Sequence, residues 1–175
     1  MMTASFATRE GRKAEDVALA RRMLQRPAGV IGFVTAGDGV DAWHVLPRLA
    51  AALAVLSPGR YALVRPPAIE AAPAPSRAPY RTHMLTPALD ELVLPACESL
   101  PCALGPLAAA VEAARLLYAH ILVDVGGFLP DAPEVLDLPD VVVSVAAAGV
   151  TRERELVRMI GLLPAARHVG TLLID

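Results

Sequence analysis

The sequence has few aromatic residues and few charged residues. Aromatic residues make up 4% and charged residues 19% of the 175 residues, against 55% hydrophobic residues. A chain of this length forms one domain with a complete core, and with so few aromatic side chains we expect that core to be aliphatic. The formal net charge of −2 provides no attraction to nucleic acid or to an anionic membrane surface. So apolar a chain is expected to keep an apolar surface patch for a protein partner.

Long hydrophobic runs are also missing. The longest apolar run, residues 49–56, is far shorter than the roughly 20 residues needed to cross a bilayer, so direct membrane insertion is not expected. Charged residues, and not an apolar signal core, crowd the N-terminal region. We therefore expect a cytoplasmic location, peripheral to the inner membrane only through a partner.

Cysteine is scarce as well. Cys97 and Cys102 are the two cysteines, and no histidine or third cysteine lies near them in the sequence. A zinc site needs more ligands than these two, and a disulfide is unfavourable in a reducing compartment. We expect two unpaired structural cysteines and no bound metal.

Short β-rich runs alternate with amphipathic helical runs along the chain. This alternation predicts one α/β domain over residues 1–175, with a mostly parallel sheet covered by helices on both faces. An N-terminal helical segment is predicted within residues 1–28, a Pro-rich loop over 66–88, and Thr151 as the N-cap of the last helix. Strands are predicted at 30–35, 61–64, 92–94, 120–124, 140–145 and 169–174.

The loop after the first strand, residues 35–45 with the sequence TAGDGVDAWHV, has the position of a phosphate-binding loop. A working P-loop needs glycines whose N–H groups surround the phosphates, a lysine that offsets their charge, and a hydroxyl for Mg²⁺. This loop has Gly37 and Gly39 but also Asp38 and Asp41. One such carboxylate about 5 Å from a phosphate charge costs roughly 3 kcal/mol at an effective dielectric of about 20. A βα turn that never bound phosphate is the alternative, and it also predicts no ATPase activity.

The strand, loop and helix resemble the deviant Walker ATPases of the MinD/ParA type, and especially the bacterial tyrosine-kinase domains that partner polysaccharide export proteins. These families read approximately SxKGGVGKTT or SxxPGEGKST at this point, and Gly39-Val40 match the first pattern. The positions of the next glycine, the lysine and the two hydroxyl residues are occupied by Asp41, Ala42, Trp43 and His44.

The second half of the chain carries the rest of the resemblance. Residues 119–127 (AHILVDVGG) are similar to the family's Walker B segment, typically YDxVLIDTPP, and Asp124 has the position of the acid that orients Mg²⁺ and water. Residues 131–157 resemble the segment that follows. The acid expected after the second strand is missing, since Arg65 and Pro66 fall there. Of the family's catalytic set, only Asp124 remains.

The resemblance implies a three-layer P-loop NTPase-like fold and a chain that has lost ATP chemistry and binds no cofactor. It implies a pseudo-ATPase or pseudokinase-like subunit that acts through protein contacts, in bacterial exopolysaccharide or cellulose synthesis or secretion. Its expected partner is a second copy, as a homodimer, or a membrane-associated polysaccharide secretion complex. Candidate interface residues are Trp43, Arg152 and Arg154.

Two other functions stay open on the sequence. One is a regulator that senses a nucleotide without hydrolysing it, bound through Arg-rich elements. The other is an enzyme with a re-made site around Asp124 and His44, since a histidine beside acidic residues can act as a base. An isolated aspartate at a strand end is also a common hydrogen-bond acceptor for its own loop.

Overall fold

A computed structural model describes residues 4–26, 29–37, 40–73, 76, 78–129 and 132–174. Four helices and seven strands are numbered in chain order. The helices are α1 (Ala4–Leu24), α2 (Leu46–Leu56), α3 (Leu100–Arg115) and α4 (Glu153–Leu162). The strands are β1 (Val30–Thr35), β2 (Tyr61–Val64), β3 (Arg81–Thr86), β4 (Leu89–Val93), β5 (His120–Asp124), β6 (Val141–Ala147) and β7 (His168–Ile174).

The strands form one sheet in the order β3-β4-β2-β5-β1-β6-β7. Every neighbouring pair is parallel except β3 with β4. The predicted α/β fold with a mostly parallel sheet is therefore confirmed. Because β1, β5 and β6 are parallel neighbours, their carboxyl ends meet at the same carboxyl-terminal edge of the sheet. The strand order reverses around β1, and ligands bind at such a point in folds of this kind.

Helices cover both faces of the sheet, which explains why its strands are apolar runs and not alternating patterns. On one face α1 and α2 pack on Ile31, Phe33 and other residues of the central strands. On the other face α3 and α4 pack on Val30, Val34 and their neighbours. The large buried side chains are mostly aliphatic, as the shortage of aromatic residues predicts.

Several local predictions differ from the structure, among them the strand predicted at 92–94, which is observed as β4 at Leu89–Val93. Part of the predicted Pro-rich loop over 66–88 is the strand β3, which forms a hairpin with β4. The prediction of Thr151 as a helix cap is wrong, because α4 begins at Glu153 with Arg152 as its N-cap. The Thr151 hydroxyl instead donates to the Ala36 carbonyl at 3.0 Å and accepts from the Ala147 N–H at 2.8 Å. It thus joins the ends of β1 and β6, which needs both hydrogen-bonding roles of a hydroxyl.

No helix among the described residues is long and apolar enough to span a bilayer. Cys97 is buried and Cys102 is exposed, and the two are not joined in a disulfide.

Candidate functional site

The candidate site lies at the carboxyl ends of the central strands. Parallel pairing sets Phe33 of β1 beside Asp124 of β5, and Thr35 of β1 beside Val145 of β6. The loop that follows β1 and the residues after Asp124 therefore meet over one edge of the sheet. Asp38 and Gly39, two of the predicted loop residues, lie outside the described residues.

Asp41 caps the turn that follows the loop. A short 3₁₀ helix, Ala42–His44, stands between the loop and α2, and the Asp41 carboxylate accepts a hydrogen bond from the Trp43 N–H at 2.8 Å. In a working phosphate-binding loop, backbone N–H groups at the start of the helix point at the ligand. Here the Trp43 N–H already donates a hydrogen bond to the chain's own Asp41 carboxylate.

Ala42, which the sequence resemblance aligns with the P-loop lysine, is completely buried. A buried methyl group offers neither charge nor a hydrogen bond to a phosphate. The only lysine of the whole chain is Lys13, within α1. Apart from Lys13, the permanent cations of the chain are arginines.

Arg65 is a cation that contacts the residues after the loop. It directly follows β2, and its guanidinium carbon lies 4.0 Å from the centroid of the Trp43 ring, a cation–π contact. Trp43 is only half-buried and packs against the hydrophobic cluster under α1 and α2. Arg65 covers one face of the ring, and the use of the partly exposed Trp43 as an interface residue stays a prediction.

Asp124 lies deeper in the site. Burial raises the pKa of its carboxyl, the hydrogen bond from the Gly126 N–H at 3.1 Å lowers it, the charge of Asp41 raises it and that of Arg65 lowers it. The net direction is upward. Asp124 thus accepts a hydrogen bond from its own loop, at the carboxyl end of the strand that pairs with β1.

Two glycines let the loops approach each other closely. A Cβ on Gly126 would lie 2.5 Å from the Thr35 hydroxyl, so no larger residue fits beside β1. Gly37 has φ +88°, which an L side chain rarely adopts, and a Cβ there would lie 3.0 Å from a carboxylate oxygen of Glu155. Glu155 therefore adds a third carboxylate beside the loop.

His44 faces a different surface. Its side chain is 85% exposed, and its ionic partner is Asp41 at 3.6 Å, not Asp124. It lines a cavity of about 270 Å³ against the end of β7, together with Glu15, Arg48, Leu172, Leu173 and others. The structure gives His44 an ionic contact with Asp41, and the site predicted around Asp124 and His44 stays a prediction.

Arg152 and Arg154 are exposed at the start of α4. The Arg152 N–H donates to the Glu155 carboxylate at 3.1 Å, which fixes the start of the helix. Both residues are at the surface, and their use as an interface stays a prediction.

Sequence reasoning missed Arg65 and Glu155 as members of the site. The signal for Arg65 was its place directly after β2, since all strand ends of a parallel sheet meet at one edge. Glu155 carried no such signal, because its approach to Gly37 depends on how α4 docks. Within the part of the chain that the structure describes, no three His, Cys, Asp or Glu side chains form a cluster that could hold a metal ion.

The α/β fold, with its candidate site at the carboxyl ends of the central strands, is also found among solved structures. No protein-family model and no curated protein matches the chain. Among solved structures, the VpsO kinase domain matches with a TM-score of 0.67 at 16% identity, over 97% of this chain and 98% of that one. The BceF tyrosine kinase domain matches with a TM-score of 0.64 at 15% identity, over 93% and 75%.

A ParA family ATPase from Chlorobium tepidum TLS matches with a TM-score of 0.57 at 16% identity, over 82% of this chain and 72% of that one. The chain therefore has the fold shared by bacterial tyrosine kinase domains and ParA family ATPases, which confirms the predicted P-loop NTPase-like architecture. At such identities the likeness concerns the fold, and fold alone does not fix function.

Proposed function

We propose that this chain is a non-catalytic, pseudo-ATPase-like subunit that acts through protein contacts and neither binds nor hydrolyses ATP. The observation that carries the proposal is the hydrogen bond from the Trp43 N–H to the Asp41 carboxylate. An internal anion takes the place that a nucleotide phosphate would need. Binding a phosphate there would require Asp41 to leave and the helix cap to be lost, at about 1 kcal/mol for the cap alone.

The charges of the edge support the same proposal. Glu155 lies beside Gly37, Asp41 caps the turn after the loop and Asp124 ends the neighbouring strand, while Arg65 is engaged with the Trp43 ring. The residues present do not fit Mg²⁺-nucleotide: the lysine position is the buried Ala42, and the position of the first hydroxyl residue is Trp43. A triphosphate would meet like charges without the cation that offsets them in working P-loops. A titration with nucleotide, designed in full below, tests this half of the proposal.

The partner half of the proposal rests on the resemblance in sequence together with the shared fold. We propose a role in bacterial exopolysaccharide or cellulose synthesis or secretion, through a second copy or a membrane-associated complex. The exposed Arg152 and Arg154 offer two cations at the start of one helix, where an acidic segment of a partner protein could dock.

Reversing these two charges tests the docking surface. With the tagged double variant Arg152→Glu/Arg154→Glu in its native host, we expect the recovery of co-purifying polysaccharide-synthesis proteins to fall at least about tenfold below that of wild type. A loss of this size is expected when charges in an interface contact are reversed. Quantitative mass spectrometry measures the recovery. Arg21→Glu is the matched control, an exposed arginine on α1 across the sheet. Unchanged recovery from the double variant, or equal loss from the control, would remove this surface from the proposal.

A further inference from the structure

We infer that β3 is a dimerisation edge, which pairs in antiparallel fashion with β3 of a second copy of this chain. The inference rests on the proposed function, in which the chain acts through protein contacts, and it adds the surface, the partner and the mode of pairing. It concerns the end of the sheet that lies away from the candidate site on β1 and β5.

The outer edge of β3 is suited to pairing with another strand. β3 is the last strand of the sheet and pairs with β4, and no other strand of the described ranges lies on its outer side. All six of its residues are exposed. Its outward N–H and C=O groups form a row of donors and acceptors. Another strand can pair with the whole row, whereas a helix or a small molecule cannot. The chemistry of the edge therefore selects an extended segment as its occupant.

The strand carries little of the protection usual for exposed edges. Natural proteins blunt such edges with lysine, proline, bulges or covering elements. The sequence of β3, RTHMLT, has no lysine or proline, and its one permanent cation is Arg81 at the first residue. A register irregularity lies between Met84 and Thr86, so Arg81 to Met84 remain regular. Met84 is 70% exposed in the middle of the strand, which leaves apolar surface beside the free backbone.

A second copy of β3 is complementary to this edge. Antiparallel pairing about a two-fold axis centred near Met84 places the two Arg81 residues at opposite ends of the paired strands, so no like charges face each other. The two Met84 side chains then lie near each other across the axis. A two-fold pairing of β3 with β3 uses the same edge in both copies, so it gives a closed dimer.

The mass of the protein in solution tests the inference, measured by light scattering over a concentration series. We expect wild type to form a dimer and Met84→Lys to weaken it by about fivefold or more, because like charges are then placed close together across the axis. Met84→Glu should weaken it in the same way. An equimolar mixture of the two variants should restore the dimer, since opposite charges then face each other.

Val55→Lys is the matched control, because Val55 is 80% exposed on α2, away from β3, and this variant should dimerise like wild type. A monomeric wild type, a Met84→Lys variant that dimerises fully, or a mixture that stays monomeric would overturn the inference. Should the Met84 variants fail to fold, amide hydrogen exchange of wild type decides. β3 amides that gain protection with rising concentration support pairing, and exchange that is independent of concentration refutes it. Nucleotide binding would contradict the proposed function and would not affect this inference. A monomeric protein would contradict this inference but not the proposed lack of nucleotide binding.

Discussion

At the scale of single residues, Asp140 is the carboxylate that anchors the start of β1. It accepts hydrogen bonds from the N–H groups of Gly29 and Val30 at 2.9 and 2.7 Å, and from Arg115 at 3.0 Å. Burial alone would raise the pKa of Asp140, but the hydrogen bonds from Arg115 and from the backbone outweigh it and lower the pKa. The charged form is therefore the one that the folded protein stabilises.

This lowered pKa fixes the sign of a prediction. A carboxyl group with a folded-state pKa below its unfolded value stabilises the fold above the unfolded pKa, and the contribution is lost as the pH falls through the folded pKa. We expect Asp140→Asn to lower the free energy of unfolding by about 1–3 kcal/mol at neutral pH, and the difference from wild type to shrink in acid. Urea denaturation at neutral and acidic pH measures both effects.

Glu112→Gln is the control for that experiment. Glu112 also pairs with Arg115, at 3.0 Å, but its side chain is 70% exposed. Its loss should change the free energy of unfolding by less than about 0.5 kcal/mol, as for other exposed ion pairs. Equal losses in the two variants, or an Asp140→Asn loss that persists unchanged in acid, would contradict this account of the anchor.

At the scale of elements, two glycines near α4 have opposite roles. Gly161 lies inside α4 with no atom within 4 Å of an added Cβ, whereas Gly37 has φ +88° in the loop after β1. We expect Gly161→Ala to raise the free energy of unfolding by about 0.5 kcal/mol, because alanine loses less backbone entropy in a helix. Gly37→Ala should lower it by more than about 1 kcal/mol, since alanine is strained there. Thermal denaturation of both variants measures the pair, and effects of the same sign would contradict the backbone conformations described above.

The elements that the sequence predicts well are those with two buried faces. β1, β2 and β5 have the predicted bounds, because a strand buried on both faces reads as a continuous apolar run with sharp ends. β3 went unpredicted for the opposite reason. It is exposed on both faces at the end of the sheet, so neither an apolar run nor an alternating pattern marks it, and the prolines before it favour a loop.

The sequence predicts those parts of the candidate site that the ends of the strands position. The sequence places Asp124 and the loop after β1 at one edge, because parallel strands end together, and the structure agrees. The contact of Arg65 with Trp43 and the approach of Glu155 to Gly37 depend on side-chain packing between elements distant in the chain. Local sequence patterns hold no information on such contacts, so these residues required the structure.

At the scale of the whole molecule, we propose that this chain keeps a kinase- and ParA-like fold without binding nucleotide. The fold is shared with proteins whose names identify them as kinases or ATPases. In this chain the same edge of the sheet holds a carboxylate-capped turn and a tryptophan covered by an arginine. Two apolar layers pack on the two faces of the sheet.

The most direct test is a titration of the protein with ATP and with ADP in the presence of Mg²⁺, followed by calorimetry and by the fluorescence of Trp43. Trp43 is the chain's single tryptophan and lies in the loop itself, so its emission reports on this site and on no other tryptophan. Arg65→Gln is the control for the optical signal, because removing the cation from the ring should shift the emission without any nucleotide. We predict no heat of binding and no change in Trp43 emission up to millimolar nucleotide. Saturable heat together with a matching change in emission at micromolar nucleotide would contradict the account, because phosphate would then displace Asp41 from the Trp43 N–H.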